Sequence, residues 1–135
     1  MINPQDWAGC FTAVVTPFKE NGDLDTEAFS RNLELLIEEG LDGAVIAGCT
    51  GESWMITDEE REELFELAVE VADNRCVVIG GTGQLTAAEN IHFCRKAKEL
   101  GMDGVMILPP PMVHPNDEEI ITFYKTISDS VDIPI

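Results

Sequence analysis

The chain is 135 residues long and 44% hydrophobic, with 26 Asp and Glu against 8 Lys and Arg, a formal net charge of −18. That length suffices for one domain with its own core, and the apolar fraction is too high for a disordered acidic tail. The charge argues against nucleic acid and anionic membrane surfaces, which require a basic face, and no apolar run approaches the roughly 20 residues that span a bilayer.

From the N-terminus, Met1 to Gly9 carries Asp6 and no Lys or Arg, so no signal peptide is expected. Phe11–Val15 is the first short apolar run and ends at Thr16-Pro17. Asp25 then offers a helix N-cap, with Leu24 and Phe29 spaced as a hydrophobic staple. Phe29, Leu33, Leu36 and Ile37 mark one helix face, and Gly40 supplies a stop. Ala44–Ala47 is the second run. Thr57 with Glu60 forms a capping box, followed by Leu64, Leu67, Ala68 and Val71 on one face. Cys76–Ile79 is the third run, and Thr86 with Glu89 opens a helix that Gly101 ends. Val105–Leu108 is the fourth run. Asn116 with Glu119 opens a helix burying Ile120, Tyr124 and Ile127.

Runs that are apolar throughout suit parallel strands buried on both faces. Four strand–helix alternations read as right-handed βαβ units on a parallel sheet, an α/β fold. Gly40-Leu41-Asp42-Gly43-Ala44-Val45-Ile46 recurs 61 residues on as Gly101-Met102-Asp103-Gly104-Val105-Met106-Ile107. Two units per repeat make one unit about 30 residues, and eight would give the roughly 250 residues of a (β/α)₈ barrel. The repeated glycines have a structural reading: Gly40 and Gly101 end helices left-handed, while Gly43 and Gly104 start strands. Asp132-Ile133-Pro134-Ile135 reads as the loop and first residue of a fifth strand. The expectation is therefore one partial barrel domain over residues 1–135: the N-terminal half, (β/α)₄ plus the start of strand five. A free-standing four-unit domain is the alternative.

Cys10, Cys49, Cys76 and Cys94 form no C-x-x-C pair, and His92 and His114 are the only histidines, which disfavours structural zinc. Three of the cysteines lie at or beside apolar runs, where Cys serves as a small buried hydrophobe. A reduced, cytoplasmic protein follows. The acidic excess reads as a solvated helix surface, and a salt-adapted source would tolerate the same charge.

In parallel α/β folds the site lies where strands end in loops. Gly48-Cys49-Thr50-Gly51-Glu52-Ser53 is the most informative loop, because its glycines let backbone N–H groups converge into an anion-binding concavity. The Thr50 hydroxyl adds a donor, and the absence of nearby Lys or Arg suits a carboxylate better than a polyphosphate. Glu52 is either a carboxylate capping backbone amides or an acid–base group. Gly80-Gly81-Thr82-Gly83 reads as a tight turn, lacking the spacing of a phosphate loop. Pro109-Pro110-Pro111-Met112 is rigid and offers no N–H from its prolines. Met112 and Val113 then present apolar surface at the mouth of the site, and His114 after them either reaches that mouth or lies on the surface. Lys19 lies in the loop after the first run, and Lys96, Lys98 and Lys125 lie on helices, so none sits on a strand where desolvation could lower its pKa.

Thr16-Pro17-Phe18, Gly48-Cys49-Thr50-Gly51-Glu52-Ser53, Thr57 with Glu59-Glu60-Arg61, Gly80-Gly81-Thr82-Gly83 and Pro109-Pro110, in this order and spacing, resemble the dihydrodipicolinate synthase / N-acetylneuraminate lyase family. The resemblance runs from about Gly9 to Ile135. It implies a (β/α)₈ barrel whose lysine forms a Schiff base with a 2-oxo acid, usually pyruvate. It also implies that Thr50, with the amides of Cys49 and Thr50, holds the substrate carboxylate. Gly48, Gly51, Glu52, Thr16, Gly81 and Pro110 would line the site.

Synthase-type members carry a hydroxyl residue at the position of Cys49 and a tyrosine at that of Met112, both in a proton relay. A thiol is a weak donor and a thioether only a weak acceptor. A sugar-acid aldolase or dehydratase is therefore favoured over the lysine-biosynthesis reaction. By the family pattern the catalytic tyrosine and the Schiff-base lysine would follow Ile135, so no complete catalytic set is expected in this chain, which should be inactive alone. No metal or redox cofactor is implied, and the parent would be a homotetramer by resemblance. Two other readings stay open. One is a non-catalytic half-barrel that binds 2-oxo acids or self-associates. The other is a doubly wound module taking a phosphate ligand at Gly80–Gly83.

Overall fold

The computed structural model describes residues 4–110 and 113–135. A short 3-10 helix, Pro4–Asp6, precedes four strand–helix units: β1 Phe11–Ala13, α1 Thr26–Glu38, β2 Gly43–Ile46, α2 Asp58–Ala72, β3 Val77–Gly81, α3 Ala87–Leu100, β4 Gly104–Met106 and α4 Asp117–Ser128. All pairings are parallel and the strand order is β1-β2-β3-β4.

Local chemistry sets the helix starts. Asp25 accepts a hydrogen bond from the Ala28 amide at 2.9 Å, and Leu24 and Phe29 are both buried, as the staple expects. Thr57, Thr86 and Asn116 each head a complete capping box, with Glu60, Glu89 and Glu119 reaching back. Gly40 and Gly101 stand at φ +93° and +92°, the left-handed exits expected of them. The end of α2 has no glycine; Asp73 and Asn74 turn the chain at φ +42° and +60°.

The repeated aspartates have a shared task. Asp42 accepts the Cys10 amide at 2.7 Å, and Asp103 accepts the Val78 amide at 3.0 Å. Each thus fixes the start of the preceding strand from the turn that enters the next one.

Two readings of the strands are refined. Both faces of β2 and β3 are largely buried, Gly43, Val77 and Gly81 included. α1 to α4 pack side by side in chain order and cover one face, where Ala44, Ile46 and Val78 are buried. The alternate residues Val45, Ile79 and Met106 point to the other, concave face and are half-buried, as a period of two requires. The Phe11 and Trp7 rings lie over Gly43 and Gly104, closing one end of that face. Ala13 and Val15 remain exposed, and the first run is only three residues of strand, although the Val14 amide still donates to Val45 O at 3.0 Å.

The helix faces also shift. On α2 the fully buried residues are Arg61, Leu64, Phe65, Ala68 and Ala72, while Leu67 and Val71 are half-buried. On α4 only Ile127 is fully buried; Ile120 and Tyr124 are half-buried. Cys76 and Cys94 are buried, but Cys10 and Cys49 are exposed, since both lie in the turns flanking strands rather than in the strands. At the C-terminus, Ile133 is buried and the Val105 amide donates to Pro134 O at 2.9 Å, so the tail pairs with the start of β4. No helix among the described residues is long and apolar enough to cross a membrane.

Candidate active site

The parallel strands bring residues 14–18, 47–56, 82–86 and 107–110 to one edge of the sheet. The turn after β2 is built most tightly. Ala47 leaves the strand at φ +54° and Glu52 sits at φ +53°, a conformation L-residues enter only when held. Between them the Glu52 amide donates to Cys49 O at 3.0 Å and the Ser53 amide to Gly48 O at 3.3 Å. Thr16 donates its Oγ1 hydroxyl to Gly51 O at 2.7 Å, both residues being buried. Gly51 permits this approach: a Cβ there would lie 3.0 Å from Val14 O and 3.2 Å from the Thr16 hydroxyl.

Folding the turn this way leaves the amides of Cys49, Thr50 and Gly51 with no acceptor among the described residues. Cys49 and Thr50 are exposed, Gly48 and Gly51 buried. Three successive unsatisfied N–H groups beside a threonine hydroxyl are competent to hold a small anion. The Glu52 carboxylate is exposed and caps no amide among the described residues, so of its two readings the amide-capping one is not met; its backbone closes the turn instead.

Gly80 and Gly81 are not a turn. They are the last residues of β3, and Gly81 packs so closely on β2 that a Cβ would fall 2.3 Å from Ala47 O. Thr82 continues the pairing, its amide donating to Met106 O at 3.2 Å, while its hydroxyl bonds Asn90 Oδ1. Asn90 in turn donates to Gln84 O and Thr86 O, so this loop is tied down internally rather than open to a phosphate. Pro110 is half-buried beyond β4, where Tyr124 donates its hydroxyl to Ile107 O at 2.9 Å. Met112 lies outside the described residues. Lys19 is in the turn between Phe18 and Leu24, and Lys96, Lys98 and Lys125 are on α3 and α4.

A cavity of about 450 Å³ opens beside the turn, walled by Cys49, Trp54, Ile56, Arg61, Leu85 and Leu108 among others. Of the expected site residues only Cys49 reaches it. Arg61, 2% exposed, also lines it, a residue that the sequence offers in a motif but without a task. Its Nη1 donates to Gly81 O at 2.8 Å and its Nη2 to Ser53 O at 2.7 Å, and the guanidinium lies 5.4 Å from the Phe93 ring centroid. Burial lowers its pKa, and the charge of Asp58 opposes that shift. The available signal was positional: Arg61 precedes Leu64, Phe65 and Ala68 by three, four and seven residues, placing it on the apolar stripe.

A model of the dihydrodipicolinate synthetase family matches residues 6–135. An uncharacterized DapA-like lyase of Rhizobium meliloti is 41% identical over 96% of this chain and 43% of its own length. The 4-hydroxy-tetrahydrodipicolinate synthase of Aquifex aeolicus is 39% identical over 94% of this chain and 43% of its own. Among solved structures, a dihydrodipicolinate synthase from Bacillus anthracis superimposes with a TM-score of 0.91 at 36% identity, covering 96% of this chain and 44% of that one. The Aquifex aeolicus dihydrodipicolinate synthase gives 0.89 at 39% identity. The chain thus spans less than half the length of the relatives it matches. The relatives named as synthases run against the preference for a sugar-acid aldolase drawn from Cys49 and Met112. With its four βα units matching the N-terminal half of a (β/α)₈ barrel, the chain belongs to the dihydrodipicolinate synthetase family.

Proposed function

We propose that these residues form the substrate-carboxylate cradle of a Schiff-base-forming lyase that acts on pyruvate or a related 2-oxo acid. The observation that carries this reading is the run of three amides, Cys49, Thr50 and Gly51, left without acceptors beside the Thr50 hydroxyl. A carboxylate offers two oxygens to such donors and needs no cation to be held. In the reaction, a lysine amine from polypeptide outside these 135 residues adds to the 2-oxo carbon and water leaves. The resulting imine withdraws electrons while a bond at the neighbouring carbon is made or broken. None of Lys19, Lys96, Lys98 and Lys125 lies on a strand, which supports placing that amine elsewhere.

The finer choice between a synthase and a sugar-acid aldolase turns on Cys49 and Met112 against the names of the relatives, and the coarser reading is the one kept. A cytoplasmic setting with reduced thiols and a homotetrameric parent go with it. Borohydride trapping with pyruvate tests the reaction. Protein containing this segment and the rest of the barrel should gain one pyruvate-derived mass, while the 135-residue chain should gain none. A parent that turns over substrate without being trapped would reject the imine.

A second reading, a half-barrel that associates without catalysis, is favoured by the exposed Val15 and Leu108. Size-exclusion chromatography separates the two: a discrete dimer of the 135-residue chain supports association, and a monomer opposes it.

A further inference from the structure

We infer that Arg61 is the positioning residue that fixes the turn of residues 48–53 in the shape its free amides require, an inference that takes its ligand from the reading above. Arg61 is 2% exposed, and its Nε has no hydrogen-bond partner among the described residues. A buried guanidinium with an unpaired donor is a poor space-filler, since an apolar side chain of similar length would occupy the site with less desolvation. What only the guanidinium supplies is the pair of hydrogen bonds to Ser53 O and Gly81 O. These two carbonyls belong to the end of the turn and the end of β3. The Phe93 ring of α3 holds the guanidinium from a third direction, at 5.4 Å. One side chain from α2 therefore ties together the turn after β2, the end of β3 and α3.

The turn needs such a post. It begins and ends with non-glycine residues at positive φ, Ala47 and Glu52, which relax unless their surroundings hold them. Thr16 anchors its middle through Gly51 O, and Arg61 anchors its far end through Ser53 O. With the far end released, the segment carrying the Cys49, Thr50 and Gly51 amides loses one of its two tethers.

The test compares the 135-residue chain with Arg61→Met, which keeps the stem, and Arg61→Lys, which keeps the charge but reaches one carbonyl. Hydrogen exchange is read at the Glu52 and Ser53 amides, with Leu64 and Phe65 of α2 as internal references. Pyruvate affinity is measured by titration where circular dichroism shows each variant folded. In Arg61→Met, which loses both bonds, exchange in the turn should rise and affinity fall, each about tenfold, the size of the lost charge-assisted hydrogen bond to Ser53 O, while the reference amides hold. Arg61→Lys should fall between. A lower thermal midpoint with unchanged turn exchange would reduce Arg61 to packing and overturn the inference. Should Arg61→Met fail to fold, Arg61→Lys decides by the same two readouts. If the unmodified chain does not bind pyruvate, the 2-oxo acid reading fails, and the exchange measurement still decides the role of Arg61.

Discussion

Thr50 stands exposed in the turn after β2, next to amides with no acceptor among the described residues. Replacing it as Thr50→Val removes the hydroxyl and keeps the shape, so pyruvate affinity should drop about tenfold with the thermal midpoint nearly unchanged. An unchanged affinity in the titration would take Thr50 out of the cradle. The cysteines divide by environment at the same scale. Cys10 and Cys49 should react promptly with a thiol reagent, and Cys76 and Cys94 only on unfolding. Burial pushes the Cys94 thiol up to about 11 from its ordinary 9.0, and raises that of Cys76 as well. Because the folded state holds these protons more tightly, their contribution to stability is complete below pH 9 and is lost as pH rises towards 11. Chemical denaturation at pH 8 and pH 10.5 should show the lower midpoint at the higher pH, and Cys94→Ala should flatten that slope. Cys94 was legible as a candidate for burial only loosely, because a helix hides its cysteines from a search for apolar runs.

Among the elements, the repeated aspartates offer a matched pair. Asp103 is buried and Asp42 exposed, yet each accepts the amide that starts the preceding strand. Asp103→Ala should cost about 1–3 kcal/mol, because a buried amide is left unpaired. Asp42→Ala should cost about 0.5–1.5 kcal/mol, since water can take the place of its carboxylate. Urea titration ranks the two, and equal costs would remove the burial argument. Gly81→Ala should cost about 1–3 kcal/mol, because the added methyl meets the Ala47 backbone rather than a movable side chain. The capping boxes at Thr57, Thr86 and Asn116 were legible because both partners lie within four residues. The end of β3 was not. Gly80-Gly81 looks like a turn in isolation, and only the close approach of the Phe65 ring to Gly80 and of the Ala47 backbone to Gly81 explains glycine inside a strand. Arg61 escaped for a related reason: a charge on an apolar stripe reads as a surface residue until the carbonyls of Ser53 and Gly81 arrive from elsewhere in the chain.

For the whole molecule, parallel units, repeat length and the site's edge were legible, since each follows from strand–helix order. The half-burial of Val45, Ile79 and Met106 was not, because apolar runs state what strands prefer, not what lies against them. The charge is a second global property. With −18 on 135 residues, self-repulsion opposes compaction, and the thermal midpoint should rise as salt is added from low ionic strength. Near-neutral proteins would show little such rise. Against that trend, the Arg75–Glu34 pair, at 2.6 Å, should weaken as salt screens it. Arg75 also holds the Glu34 carboxyl below its ordinary value, so its contribution is lost as pH falls through the acid range. The central claim is that the turn after β2 holds a small carboxylate, and amide chemical-shift mapping tests it most directly. On titration of the ¹⁵N-labelled chain with pyruvate, the largest saturable shifts should fall on Cys49, Thr50 and Gly51, with nucleoside triphosphates giving none there. Saturable shifts centred on Gly80–Gly83, or no shifts at the three amides, would contradict it.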